Sequence, residues 1–229
     1  REELALAHFH EHVQFDGKRY TVALPFDPDK PIPLNNYSSA TGQYWGMENS
    51  LVRNEAKFTQ YVEAIESYII LHHAEEVITL TPETDKAYYL PHHAVWREHA
   101  ATTKARIVFN GSAQDETGVS LNDALMPGPA LQPDLVAILI QFRRYQVALT
   151  GDIEKMFLQI GIVVNQRNFL RFVWKTPGSL GPLKVYRFAV LPFGLNCAPF
   201  LAIQTIFHHL RMLRTCYPQA SLLVEESIY

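Results

Sequence analysis

Apolar positions along the chain show helical periodicity in three places. Between residues 48 and 73 they recur at three- and four-residue spacing, which predicts an amphipathic helix with the apolar positions Phe58, Tyr61, Val62, Ile65, Tyr68 and Ile69. A second helix is predicted to begin near Pro133, because proline suits a first helical turn, and to bury Leu135, Ile138, Leu139 and Phe142. A last helix is predicted over about 199–213.

Strand patterns lie between these helices. Alternating or continuous apolar runs between turn residues predict strands at 20–24, 88–90, 93–96, 104–109, 147–152, 169–174 and 185–190. In the run 104–109, basic and apolar residues alternate, which predicts a half-buried strand with a basic outer face. Prolines 25, 28, 31 and 33 predict an extended linker. Helices and strands are interleaved without strict alternation, which favours an α+β fold.

Composition narrows the class of protein. The chain has 229 residues, of which 48% are hydrophobic and 19% charged, as in an ordinary globular protein. No apolar run reaches the roughly 18 to 20 residues of a membrane span, so we expect no membrane partner. The start has neither a methionine nor a signal-peptide pattern, which suggests a processed product. Cys197 and Cys216 cannot form a disulfide framework, which favours a reducing, cytoplasmic environment.

Charge is distributed unevenly along the chain. Residues 1–96 carry 7 Lys and Arg against 14 Asp and Glu, whereas residues 97–187 carry 11 against 7. A polyanion is therefore expected to bind the middle of the chain. The asymmetry is modest, and enzymes without a nucleic-acid partner show asymmetries of this size.

Asp152 is the first candidate for chemistry. It ends the predicted strand 147–152, and a carboxylate at the end of a strand is accessible to a metal ion or phosphate. Polymerases use such an aspartate to hold two Mg²⁺ ions about 4 Å apart, and Mg²⁺ prefers oxygen ligands. For an isolated aspartate, capping the next turn is the commoner role.

Several motifs occur in a characteristic order around Asp152. They are Tyr89-Leu90-Pro91-His92-His93-Ala94-Val95, then Lys104-Ala105-Arg106-Ile107-Val108-Phe109-Asn110-Gly111-Ser112-Ala113, Ser120-Leu121-Asn122-Asp123, Asp152-Ile153-Glu154-Lys155-Met156-Phe157, and Leu191-Pro192-Phe193-Gly194-Leu195-Asn196-Cys197-Ala198-Pro199-Phe200. In these motifs the chain resembles the reverse transcriptases of long-terminal-repeat retrotransposons, most closely those of the BEL/Pao group. The lead-in, with Leu24-Pro25-Phe26 and Asn35-Asn36-Tyr37, resembles the segment between protease and polymerase in these polyproteins.

The resemblance implies a catalytic and metal-binding role for Asp152. It matches the first catalytic aspartate, and Ile153 stands where the family offers a backbone carbonyl to the metal. The implied cofactor is Mg²⁺, with Mn²⁺ as an alternative. Phe157 matches the aromatic residue beneath the sugar, which selects deoxynucleotides by excluding a 2′-hydroxyl; taken alone, it would be a core phenylalanine.

The resemblance also implies contacts with the incoming nucleotide. Lys104 and Arg106 match the basic residues that hold the triphosphate, since ammonium and guanidinium groups bind phosphate oxygens. Phe193 would flank the incoming base, and Gly194 would let the backbone approach nucleotide or template. Without the resemblance, Lys104 and Arg106 would be a solvated strand face, and Phe193 and Gly194 a strand-to-helix loop.

Two departures from the family pattern are visible. Its second catalytic motif, Tyr-x-Asp-Asp, is not in the sequence, and Tyr229 matches the tyrosine of that motif, so we expect this chain by itself to be inactive and marginally stable or prone to aggregate. Asn110 stands where relatives usually have aspartate. Three histidine pairs, at 72–73, 92–93 and 208–209, lack the four-residue helical spacing of zinc ligands.

These observations predict the fingers and partial palm of a right-hand polymerase, ending before the Tyr-x-Asp-Asp hairpin. The expected division is 1–43 lead-in or linker, 44–87 helical connection, and 88–229 fingers and partial palm. The implied function is RNA-directed DNA polymerisation within a polyprotein, with an RNA/DNA template-primer and deoxynucleoside triphosphates as partners. Protease, thumb, RNase H and integrase would be further partners, in the cytoplasm or in virus-like particles. The alternative is a decayed or co-opted, non-catalytic nucleic-acid-binding or scaffolding module.

Overall fold

Helices and short strands are interleaved along the chain. The computed structural model describes residues 1–78, 86–96, 105–144 and 146–228. The helices in these ranges are α1 (Glu2–His12), α2 (Tyr37–Leu51), α3 (Glu55–Ile70), α4 (Leu121–Ala124), α5 (Leu135–Phe142), α6 (Ala198–Leu213) and α7 (Pro218–Ser227). The strands are β1 (Gln14–Phe15), β2 (Tyr20–Val22), β3 (Ala74–Glu76), β4 (His92–Trp96), β5 (Ala105–Phe109), β6 (Gly161–Ile162), β7 (Arg171–Trp174) and β8 (Lys184–Phe188). Two 3-10 helices cover Met156–Gln159 and Val164–Leu170.

The described strands form three small sheets. Strand β2 lies between β1, which is antiparallel to it, and β6, which is parallel to it. Strand β8 lies between β3 and β7, both antiparallel to it. Strands β4 and β5 form an antiparallel pair, with His92 opposite Phe109. The described structure is therefore mixed α and β with small sheets, whereas its assignment to polymerase fingers and palm stays a prediction.

The lead-in is more ordered than the sequence predicts. The expectation of an irregular segment over 1–43 is wrong, because α1 and the first turns of α2 lie within it. Helix α1 buries Ala5 and Phe9, four residues apart on one face, in the same hydrophobic cluster as Val22 and Leu24. Only a strand at 20–24, of which the structure forms 20–22, and the extended proline segment were expected there. The three-part division of the chain stays a prediction.

The single helix predicted over 48–73 is wrong. Two helices occupy this region, and α2 ends at Leu51 before α3 begins at Glu55. The break occurs because Asn54 has an extended backbone and its side chain accepts a hydrogen bond from the Lys57 N–H. This N-cap satisfies a donor that the first turn of α3 would otherwise leave unpaired.

Helix α5 begins as predicted but packs differently. Asp134 caps it by accepting a hydrogen bond from the Ala137 N–H, and proline precedes the cap. The predicted buried face is wrong, because no residue of α5 is buried in the described structure and Ile140 is 67% exposed. Apolar residues of α5 itself lie on every side of the helix, so their spacing alone could not identify a packed face.

The strand predicted over 147–152 is also wrong. Residues 148–153 have no regular secondary structure, and no described strand pairs with them. Val147 and Leu149 are 76% and 88% exposed. A strand forms only where a neighbour completes its backbone hydrogen bonds, and this segment has none among the described residues.

The carboxyl-terminal half otherwise follows the prediction. The hairpin β7–β8 and helix α6 lie where the sequence places them. Helix α6 has proline in its first turn, and its buried residues lie between Ala198 and Phe207. Helix α7 was not predicted.

Candidate nucleotide-binding site

Strand β5 positions the basic residue of the candidate site. Ala105, Ile107 and Phe109 point into the core, so Arg106 lies on the exposed face. This confirms the predicted half-buried strand with a basic outer face. Lys104, the second predicted phosphate ligand, lies outside the described residues.

An aromatic pair lies beside Arg106. The Arg106 guanidinium carbon is 5.7 Å from the centroid of the Phe193 ring, a cation–π arrangement. The Phe193 ring is in turn 4.9 Å from that of Phe157, with an angle of 41° between the ring planes. Three residues that are 36 or more positions apart in sequence thus form one contiguous cluster, here called the Arg–Phe cluster.

Both rings are held by elements that reach into the core. Phe157 lies in the 3-10 helix Met156–Gln159, whose Leu158 is buried. Lys155 begins this helix with a positive φ of 50°, which is uncommon for a residue other than glycine. Both phenylalanine side chains are half-buried, so part of each remains accessible to solvent.

Gly194 brings the turn of Phe193 against strand β5. Its φ is +108°, and a Cβ at this position would lie 1.7 Å from the Phe109 carbonyl oxygen. The glycine is therefore required for close approach of two backbone segments within this chain. Its predicted approach to nucleotide or template stays a prediction.

Asp152 and Ile153 lie apart from this packing. Both are exposed and belong to the segment without secondary structure. Ile153 lines a cavity of about 570 Å³ together with Met156 and with Lys18 and Arg19 of the β1–β2 turn. The structure places Asp152 only one turn before the helix that carries Phe157.

The described residues do not form a complete set of Mg²⁺ ligands at this site. No group of three or more histidine, cysteine, aspartate or glutamate side chains in the described ranges is arranged to hold a metal ion. One exposed carboxylate cannot hold two divalent ions, which need several oxygen ligands each. The predicted metal role of Asp152 and Ile153 stays a prediction, as does nucleotide binding by the Arg–Phe cluster.

Histidines of two of the three pairs, His92 and His209, lie beside tyrosine side chains. His92 is buried, its Nε2 donates to the Val173 carbonyl oxygen at 2.9 Å, and Tyr61 donates its hydroxyl proton to Nδ1. Burial lowers the pKa of His92 to about 4, so the ring is neutral at physiological pH. His209 Nδ1 lies 3.0 Å from the Tyr20 hydroxyl oxygen. These contacts are structural, within and around the core.

Three residues that join the segments of the site, Asn122, Asn196 and Gly111, were not predicted from the sequence. Asn122 hydrogen-bonds to Gly194 and Asn196, while Gly111 lies where any side chain would collide with Asn122 and Gly194. The sequence contained one signal, since Ser120 and Asp123 form a capping box that fixes the short helix α4 around Asn122. The partners of Asn122, more than 70 residues away, were not predictable from that signal.

Comparisons with known proteins give one similarity. No protein-family model matches the chain. It is 34% identical over 101 residues to the "Gag-Pro-Pol polyprotein" of Bovine leukemia virus (isolate Australian). The matched region is 44% of this chain and 7% of the viral protein, so the chain spans a small part of that polyprotein. The similarity relates the chain to a retroviral polyprotein. No helix in the described ranges is both long and apolar enough to cross a membrane.

Proposed function

We propose that the chain is the fingers and partial palm of an RNA-directed DNA polymerase, encoded in the polyprotein of a BEL/Pao-type long-terminal-repeat retrotransposon. The intact enzyme would transfer deoxynucleotides to a primer under the direction of an RNA or DNA template, with two Mg²⁺ ions. Within it, this chain supplies the surface that contacts the incoming nucleotide.

The Arg–Phe cluster carries the proposal. Arg106, Phe157 and Phe193 come from three separate motifs, and the family resemblance implies a nucleotide contact for each of them. In the fold they are linked through Phe193, whose ring centroid lies 5.7 Å from the Arg106 guanidinium carbon and 4.9 Å from the Phe157 ring centroid. A guanidinium beside two partly accessible aromatic rings fits a ligand with phosphate at one end and a base and sugar at the other.

The viral similarity supports the same proposal. A Gag-Pro-Pol polyprotein is the kind of precursor in which the proposed enzyme would be encoded, and 101 residues of this chain match one. Association with the rest of such a polyprotein, including protease, thumb, RNase H and integrase, belongs to the proposal, as does a cytoplasmic or particle-associated location.

Equilibrium binding tests the nucleotide surface without requiring catalysis. The 229-residue chain is titrated with dATP and with ATP in the presence of a primer–template duplex whose next template base is thymine or uracil. We expect Arg106→Ala to weaken dATP binding by at least about tenfold, since a charge-assisted contact contributes about 1.5–3 kcal/mol. Arg53→Ala is the matched control, because Arg53 is also exposed but lies at the α2–α3 junction.

Sugar selection gives a sharper readout. Phe157→Ala should raise the affinity for ATP relative to dATP, because the ring that would exclude a 2′-hydroxyl is gone. An unchanged ATP-to-dATP ratio would contradict the assigned role of Phe157. A chain that binds the duplex but neither nucleotide would instead be the non-catalytic nucleic-acid-binding module, and the polymerase proposal would be wrong.

A further inference from the structure

Asn122, in helix α4, makes hydrogen bonds to two other segments of the site. Its Nδ2 donates to Ser112 Oγ at 2.8 Å and to the Gly194 carbonyl oxygen at 3.1 Å. Its Oδ1 accepts from the Asn196 backbone N–H at 3.0 Å. One side chain therefore joins the loop after β5, helix α4 and the turn that carries Phe193.

Backbone groups of Asn122 extend the same connection. Its N–H donates to the Gly111 carbonyl oxygen at 2.9 Å, and its carbonyl oxygen accepts from Asn196 Nδ2 at 2.7 Å. The amide orientation follows from the partners, because the Gly194 carbonyl can only accept and the Asn196 N–H can only donate. Aspartate would lose both donations, and alanine would lose every side-chain bond.

Two glycines allow these segments to approach so closely. A Cβ on Gly111 would lie 2.9 Å from both Asn122 Oδ1 and the Gly194 carbonyl oxygen. A Cβ on Gly194 would collide with the Phe109 carbonyl oxygen. The turn is thus pressed onto the end of β5 on one side and tied to α4 by Asn122 on the other.

Helix α4 gives Asn122 a fixed base. Ser120 Oγ accepts from the Asp123 N–H at 3.2 Å, and Asp123 Oδ2 accepts from the Ser120 N–H at 3.0 Å. This reciprocal capping orders the helix in which Asn122 lies. The carboxyl of Asp123 has a lowered pKa because Ser120 donates hydrogen bonds to it, so the cap is retained at neutral pH.

We propose that Asn122 is a positioning residue that fixes the Phe193–Gly194 turn beside Arg106, and thereby sets the geometry of the nucleotide-contact surface. This inference rests on the proposed function for its effect on binding. The fixing of the turn itself is a property of the fold and can be measured without a ligand. Asn122 acts through Phe193 and touches no nucleotide.

Hydrogen exchange measures the fixing of the turn directly. We expect Asn122→Ala to speed exchange of the Asn196 amide about fivefold at unchanged solution conditions, because this amide loses a hydrogen bond whose net contribution is about 1 kcal/mol. Asn122→Asp keeps the acceptor for that amide and loses only the two donated hydrogen bonds, so it is the variant to measure if Asn122→Ala does not fold. Asn49→Ala, an exposed asparagine of α2, is the control and should change nothing.

A double-mutant comparison then links the turn to binding. With dATP as the probe, Asn122→Ala should weaken binding about tenfold in the wild-type chain and about twofold or less when Phe193 is already alanine, because coupled residues are non-additive. Equal losses in both backgrounds would overturn the inference, as would unchanged exchange of the Asn196 amide. If the wild-type chain binds no dATP, the proposed function fails, and the exchange result alone decides whether Asn122 fixes the turn.

Discussion

Replacing Gly194 by alanine is the most direct test of how the candidate site is held together. The added Cβ would lie 1.7 Å from the Phe109 carbonyl oxygen, far inside the distance at which real side-chain atoms meet a backbone. The positive φ of +108° adds strain for any residue with a Cβ. Neither problem can be relieved by a side-chain rotation, so the backbone of the turn or of β5 has to move.

The two effects have separate magnitudes. A left-handed backbone costs about 1–2 kcal/mol for an L-residue, and overpacking a well-packed position costs about 1–3 kcal/mol. Gly194→Ala should therefore lower the free energy of unfolding by about 2–5 kcal/mol. Because the moved turn carries Phe193, we also expect weaker dATP binding in whatever fraction remains folded.

Gly17 provides a matched control for the backbone effect. Its φ is +94°, and a Cβ there would meet nothing within 4 Å. Gly17→Ala should cost only the left-handed strain of about 1–2 kcal/mol. Urea titration followed by tryptophan fluorescence measures both variants, and equal losses for Gly194 and Gly17 would show that the turn is not packed against β5 as described.

Three further substitutions test other parts of the fold. The pKa of His92 is lowered to about 4 in the folded chain, so between pH 4 and the ordinary value of 6.5 the chain takes up a proton when it unfolds. The free energy of unfolding should therefore fall as pH decreases through this window, by about 1.4 kcal/mol per pH unit. Urea midpoints from pH 7 to 4.5 measure this slope, which His92→Gln should flatten and His93→Gln should leave unchanged. Asn54→Ala should lower the unfolding free energy by about 1 kcal/mol through loss of the α3 cap, whereas no change in the urea midpoint would contradict the assigned cap. Ile140→Glu should change the free energy of unfolding by no more than about 0.5 kcal/mol, because the side chain is exposed. It should also reduce self-association measured by sedimentation velocity, and a large loss of stability would mean that α5 is packed.

Local patterns predicted the elements that carry their own signals. Alternation in 104–109 identified β5 and the outward direction of Arg106, because a strand places successive side chains on opposite faces. Apolar spacing identified α6, and Pro133 marked the approximate start of α5, which the structure shows is capped by Asp134. The motif around Phe193 placed the turn correctly between β8 and α6.

Long-range contacts were beyond local patterns. Asn122 has its partners at Gly194 and Asn196, and nothing in the sequence around 122 specifies a bond to residues more than 70 positions away. The register that pairs β2 with β6 likewise joins distant segments. Helix α1 was missed because its buried face consists of only Ala5 and Phe9, too few to show a period.

The predicted nucleotide-contact residues and the predicted metal ligand Asp152 differ in how the surrounding structure fixes them. Arg106 and Phe193 lie on segments fixed by core packing and by Asn122, and Phe157 is anchored next to the buried Leu158. Asp152 lies in an exposed segment with no paired strand among the described residues, so neither packing nor hydrogen bonding orients its carboxylate. The proposed contact with a nucleotide would need only Arg106, Phe157 and Phe193, whose guanidinium group and rings already lie together. Metal-dependent transfer needs further oxygen ligands brought to Asp152. If the proposed function holds, we expect nucleotide affinity and catalysis to be separable, because different segments of the chain would be responsible for each.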